Sequence, residues 1–390
     1  MTLRIGSPAE GEDFFDRTIE RAQLWRVLPA NHVVLSAPRR IGKTSLLKRL
    51  VHEAEHHGLL PAYLDVSRRE SALDLIGAVS EAFPERSIAA HMARAGQHAL
   101  GWLNRIGRIR IDAGELGGFE LESRAAGAKT WQESAELLAQ RLSPRPVLIV
   151  LDEFSVFIQR LLDHKPDEAR LLLATLRSWR QADGVACRFV FSGSIGLNRL
   201  LERHRLQTET NDCDDFRLGP FAEPDAVAMV STLAAREGWP LAPNDAAALC
   251  RRVGWLSPYY LVTVLEEAIR AAMMRLRVQA PTGQPLTPAD LDQAFHELLD
   301  TRSKFNHWYV RLADHFDSTT LPWVHLALAR LAARPQGLRE TTLCNLKGAP
   351  HDPQATLLQL EEHGYIVRDG ELVQYQSPLL RQYWHKNHGR

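Results

Sequence analysis

Cysteine is scarce in this sequence: four residues in 390, at positions 187, 213, 250 and 344, with no C-x-x-C pair among them. Zinc sites and disulfide frameworks need closer or paired spacing, so neither is expected. Reduced thiols are the plain expectation. An excess of one charge is also missing, because 47 Lys and Arg balance 47 Asp and Glu. A chain that coats nucleic acid without specificity carries a basic excess, so any such contact here must come from a local patch. No apolar run approaches the ~18 residues of a membrane span. Residues 1–15 carry Glu10, Glu12 and Asp13 and lack the apolar stretch of a signal peptide. A soluble, cytoplasmic protein with no membrane partner is expected. Fixed-period repeats and low-complexity tracts are missing as well.

What is present is ordinary globular material, 45% hydrophobic and 24% charged. The length suits two or three domains at ~100–200 residues each. Short apolar runs at 33–37 (VVLSA), 60–66 (LPAYLDV), 147–152 (VLIVLD) and 188–194 (RFVFSGS) read as buried parallel strands separated by helical patterns. A fifth, at 215–218 (DFRL), ends at Gly219-Pro220. Strand and helix in alternation imply an α/β parallel sheet with crossover helices. An insertion at about 85–130 contains a hairpin pattern at 109–121, where Arg108 and Arg110 could face Glu120 and Glu122. From about 221 to 300 the pattern is helical, with Thr287 as an N-cap and Pro288 at the first helical position. Beyond 321, three short helical stretches precede two short strands around Asp369-Gly370, the order of a winged helix-turn-helix. The expected domains are 1–220, 221–300 and 301–390.

The strongest chemical signal is Ala37-Pro38-Arg39-Arg40-Ile41-Gly42-Lys43-Thr44-Ser45, between a strand and a helix. That context supports a Walker A loop, whose backbone N–H groups and helix N-terminus cradle phosphate. Lys43 would reach the β- and γ-phosphates of ATP, and the Thr44 hydroxyl would bind Mg²⁺. Gly42 would let the backbone approach without a Cβ in the way. Ala37 stands where the consensus has Gly; if that position needs positive φ, Ala costs roughly 1–2 kcal/mol. The run at 147–152 ends in Asp152-Glu153, which suits a Walker B acid, Asp152, on Mg²⁺ and a catalytic Glu153 that orients water. A later strand ends at Ser192-Gly193-Ser194, where Ser194 or Ser192 could hydrogen-bond water or γ-phosphate.

These residues resemble the AAA+/STAND division of P-loop ATPases, and most closely the archaeal-type ATPase family. The resemblance rests on a box at Phe14, Arg17 and Glu20, the P-R-R-x-G-K-T-S loop, the Asp-Glu strand and the Gly-Ser strand. It extends to Gly254-Trp255-Leu256-Ser257-Pro258-Tyr259-Tyr260-Leu261 and to Ser377-Pro378-Leu379-Leu380. It implies an AAA+/ASCE-type parallel sheet with a helical lid and a C-terminal winged helix. It further implies that Asp16 and Arg17 lie near the adenine and that Pro258 offers only a backbone or packing contact. Arg199, Arg203 and Arg205 occupy the region where relatives place an arginine finger, but a solvated helix face is the preferred reading.

Two other signals are weaker. His52-Glu53-Ala54-Glu55-His56 matches H-E-x-x-H, but it lies on the helix after the phosphate loop and no third ligand follows nearby. In the C-terminal part, the presumed recognition helix at 353–363 has no Lys or Arg to neutralise DNA phosphates. The expected function is an Mg²⁺-dependent ATPase that acts as a nucleotide-controlled switch for a partner protein or for self-assembly. The alternative is a DNA-binding ATPase of the initiator or transposition-loader type.

Overall fold

The computed structural model describes residues 8–83, 131–142, 146–182, 187–193, 196–300 and 302–389. The expected insertion and its hairpin lie outside the described residues. The chain forms two compact units: Glu10–Ala37 with Lys43–Leu218, and Pro38–Gly42 with Gly219–Arg390 and the N-terminal residues to Ala9.

The first unit runs α1 (Thr18–Val27), β1 (His32–Ser36), α2 (Lys43–Glu53), β2 (Leu60–Asp65), α3 (Ala72–Ala82) and α4 (Trp131–Leu142). It continues through β3 (Val147–Asp152), α5 (Phe154–His164), α6 (Pro166–Gln181), β4 (Arg188–Gly193), α7 (Leu197–Arg203) and β5 (Cys213–Arg217). The strands form one parallel sheet in the order β2-β3-β4-β1-β5. Every residue of β3 is buried, which explains its unbroken apolar run: a central parallel strand is covered on both faces. The register sets Asp65 beside Asp152, Leu151 beside Phe191 and Ser36 beside Gly193, so the carboxyl ends of β1, β3 and β4 are level. The chain leaves β1 through α2 and returns at the far edge in β2, a topological switch of the kind at which open α/β sheets bind ligands.

The first four strands fall within a residue of their expected bounds. The fifth begins at Cys213, two residues early. Among the described residues it is an edge strand with β1 as its one neighbour, and its half-exposed residues leave no apolar run to mark it. Arg180 of α6, almost wholly buried, grips the approach to this strand. Its guanidinium donates to both Asp212 carboxylate oxygens at 2.7 and 2.8 Å.

The second unit contains α8 (Glu223–Arg236), α9 (Pro243–Val253), α10 (Pro258–Leu276) and α11 (Pro288–Asp300). Then come α12 (Arg302–Val310), α13 (Leu312–His315), α14 (Leu321–Ala332), β6 (Leu338–Arg339), α15 (Glu340–Cys344) and α16 (Pro353–Glu362). It closes with β7 (Ile366–Asp369), β8 (Leu372–Tyr375) and α17 (Pro378–His388), the strands forming an antiparallel sheet in the order β6-β8-β7. Thr287 caps α11 as expected. The Asp290 carboxylate accepts from the Thr287 amide at 2.9 Å and its hydroxyl at 2.7 Å, while the Asp290 amide donates back to Thr287 Oγ1. Arg275 of α10 adds two bonds of 2.8 Å to the same carboxylate, clamping the two helices.

A second clamp joins α9 to α17. The Ser377 hydroxyl donates to the Val253 carbonyl at 2.8 Å and also accepts from the Leu380 amide as the cap of α17. Gly254 has φ +71°, and a Cβ there would lie 2.2 Å from Pro378 Cδ. Two separated sequence motifs therefore meet at one close backbone approach.

Gly254→Ala is expected to cost more than the ~1–2 kcal/mol of left-handed strain, because overpacking adds to it. Gly348→Ala, with φ +79° and open space around it, should stay near that range. Thermal melting of both variants checks the difference; equal losses contradict the clash. At Asp212, burial pushes the carboxyl pKa up, but the Arg180 hydrogen bonds and charge outweigh it and the net is lowered. A depressed carboxyl pKa stabilises above the unfolded value near ~4, and the benefit fades as pH falls through the folded value. Asp212→Asn should therefore lower Tm at pH 7 and flatten its acid limb; a limb as steep as the wild type's contradicts this.

Candidate functional site

Six side chains of the first unit, Lys43, Thr44, Tyr63, Asp152, Glu153 and Ser192, converge at the carboxyl end of its sheet. Lys43 opens α2 and is 8% exposed. Its Nζ donates to Glu153 Oε1 at 3.1 Å and stands 3.6 Å from Asp152 Oδ1. The Thr44 hydroxyl donates to Asp152 Oδ2 at 2.8 Å, and the Ser192 hydroxyl to Oδ1 at 2.5 Å. Burial raises the Asp152 pKa, but the Lys43 charge and the hydrogen bonds from Ser192, Thr44 and Tyr63 prevail and hold it below the ordinary carboxylate value. The apolar run of β3 lifts Asp152 and Glu153 to this edge, and the strand-to-helix turn after β1 brings Lys43 and Thr44 beside them.

Glu153 caps α5 in the left-handed region, at φ +57° and ψ +28°. Residues held there without a glycine cluster at functional sites. At the end of β4, a Cβ on Gly193 would lie 1.7 Å from Ser155 Oγ and 2.6 Å from its Cβ. The strand end thus seats directly on the first turn of α5, the turn that presents Glu153. Of the two serines expected near the γ-phosphate, Ser194 lies outside the described residues, and Ser192 is the one seen at Asp152.

In the phosphate loop the residues with positive φ are Arg40 at +65° and Gly42 at +93°. Ala37 is not among them, so the glycine of the consensus is not needed for conformation and the expected strain does not arise. Pro38 and Ile41 are buried, Arg39 is exposed, and Ser45 lies in the first turn of α2. Within the second unit, the Arg40 guanidinium lies 3.8 Å from the Tyr259 ring centroid, and a Cβ on Gly42 would be 3.6 Å from Pro258 Cγ. Pro258 therefore sits against the loop's glycine. Asp16 and Arg17 both have positive φ. Asp16 Oδ1 accepts from the Thr18 amide and hydroxyl at the start of α1, and Arg17, 3% exposed, donates to Glu20 Oε1 at 2.6 Å. Arg199 and Arg203 lie on α7, with Arg205 just beyond at φ +58°.

Sequence reasoning missed Tyr63. Its hydroxyl donates to Asp152 Oδ2 at 3.0 Å from the neighbouring β2. One tyrosine near the end of an apolar strand carries no signal that sets it apart. The H-E-x-x-H string is broken by the fold: α2 ends at Glu53, whose carboxylate is taken by Arg21, Trp25 and Arg49, and His52 and His56 are exposed. Among the described residues no group of three or more His, Cys, Asp or Glu could hold a metal ion. A hydroxyl and one carboxylate beside a buried ammonium do fit Mg²⁺ with phosphate, because Mg²⁺ keeps waters and uses few protein ligands.

A Walker-type ATPase of Pyrococcus abyssi is similar in structure over 98% of this chain and 99% of its own, with a TM-score of 0.65 and 16% identity. The ORC2 protein of Aeropyrum pernix, solved as ADPNP and ADP complexes, is similar over 97% and 96%, with a TM-score of 0.55 and 15% identity. No protein-family model matches the sequence, and a comparison with curated proteins gives no match. At these identities the likeness speaks for the fold, and the chain has that of the AAA+ P-loop ATPases.

Gly193→Ala should cost ~1–3 kcal/mol through overpacking against Ser155. Pairing it with Ser155→Gly removes both clashing atoms and should restore part of the loss. Denaturant unfolding of the two single variants and the double checks this; simple additivity contradicts the contact.

Proposed function

We propose that this protein is an Mg²⁺-dependent ATPase whose nucleotide state switches its conformation for a partner protein or for self-assembly. The observation that carries the reading is the buried Lys43 ammonium poised between Asp152 and Glu153, with the Thr44 hydroxyl on the same Asp152. Mg²⁺-ATP, when bound, supplies the phosphoanhydride whose hydrolysis drives the change. Lys43 exchanges its Glu153 partner for phosphate oxygens, and the amides around Gly42 and Ser45 cradle the phosphates. Thr44 and Asp152 would hold the metal. Glu153, released from Lys43, accepts hydrogen bonds from the attacking water and polarises it, and Ser192 keeps Asp152 oriented. Asp16 and Arg17 are assigned to the adenine side.

In this reading residues 1–220 are the ATPase core, 221–300 a helical lid and 301–390 a winged helix. Contacts within the second unit support the switch. The phosphate loop touches Pro258 and Tyr259 at the start of α10, and a Cβ on Gly364 would lie 3.4 Å from Pro38 Cβ. A change in the loop is thereby felt by α10 and by the turn before β7. The C-terminal helices suit protein contact better than DNA. Besides α16 lacking cations, Arg368 pairs with Glu361 at 2.9 Å, Arg381 donates to the Ala332 carbonyl and Lys386 pairs with Asp300. Among the described residues no helix is long and apolar enough to cross a membrane.

Lys43→Ala should abolish Mg²⁺-ATP binding in a calorimetric titration. Glu153→Gln should keep binding and lower turnover by roughly 10²–10⁴-fold, the range of a lost general base. Normal turnover in the Glu153 variant contradicts the mechanism.

A further inference from the structure

The Asp152 carboxylate is saturated. An ionised carboxylate offers about four lone-pair sites on its two oxygens. Here Oδ2 accepts from Thr44 Oγ1 at 2.8 Å and Tyr63 Oη at 3.0 Å. Oδ1 accepts from Ser192 Oγ at 2.5 Å and the Glu153 amide at 3.0 Å. A metal ion or a metal-held water can engage Asp152 only if one donor leaves. The Thr44 hydroxyl can stay, since its hydrogen points to Asp152 while its oxygen keeps lone pairs for a metal. The Glu153 amide belongs to the next residue in the chain and is fixed. Ser192 is 2% exposed and makes the shortest of the four bonds. Tyr63 is half-buried, makes the longest hydroxyl bond of the set, and can turn its hydroxyl to water at the least cost.

We infer that Tyr63 competes with Mg²⁺ at Asp152, its hydroxyl filling the acceptor position that the metal or its water takes, and that it yields this position when the site loads. Tyr63 is thus a positioning residue that sets the Mg²⁺ requirement of the site. The inference rests on the nucleotide reading above.

The test follows Tm against Mg²⁺ concentration at saturating ADP, for the wild-type chain and for Tyr63→Phe, which removes the hydroxyl and keeps the ring. Half-saturation should fall roughly three- to tenfold, the span of one hydrogen bond's net contribution, while ADP binding in EDTA stays as in the wild type. An unchanged or raised Mg²⁺ requirement overturns the inference, a raised one marking Tyr63 as a support for the metal carboxylate. Tyr63→Leu gives a second reading with the same expected direction should the Phe variant fold poorly. A wild-type chain that shows no Mg²⁺-dependent shift defeats the nucleotide reading itself, a result distinct from a shift that Tyr63→Phe leaves unmoved.

Discussion

One ionised carboxylate, sunk at the end of a fully buried strand, organises the sheet end of this protein. Asp152 cannot stay charged there unless its surroundings compensate, and they do so from four directions: the ammonium that opens α2, and hydroxyls from α2, β2 and β4. These partners come from three elements, α2, β2 and β4. The parallel register that levels β1, β3 and β4 is therefore the same constraint that assembles the chemistry. Losing one partner of such a cluster leaves buried charge uncompensated, which is why the arrangement is both stabilising and poised.

The phosphate loop, Pro38–Gly42, belongs to the same compact unit as everything after residue 219. Its positive-φ positions are Arg40 and Gly42, and both lie against α10, at Tyr259 and Pro258. The same stretch of chain holds Gly254, which seats Pro378, and Ser257, which caps α10. One short segment therefore meets the loop at one end and the last helix at the other. In the proposed switch, that continuity would carry a loop rearrangement to the C-terminal elements through packed side chains.

Much of this was legible in the sequence because burial writes itself into composition. The run at 147–152 reads as a covered strand, and the loop before Lys43 follows a strand and opens a helix. Thr287 and Pro288 announced the start of α11 through capping chemistry that needs no tertiary context. What escaped detection depended on register or edges. Cys213 and Asp214 start a strand whose half-exposed residues alternate too weakly to show. Tyr63 acquires its role from lying on the neighbour of β3, a pairing that one strand's sequence does not encode. The conformation at position 37 was likewise invisible, since a departure from a glycine consensus says nothing of φ until the loop is seen.

The most direct test of the account is a crystal structure of the chain with Mg²⁺ and a non-hydrolysable ATP analogue. The account predicts the triphosphate wrapped by the backbone of residues 37–44, with Lys43 Nζ moved from Glu153 to phosphate oxygens and the metal beside Thr44 and Asp152. A nucleotide bound elsewhere, or Lys43 still paired to Glu153 with the analogue present, would contradict it.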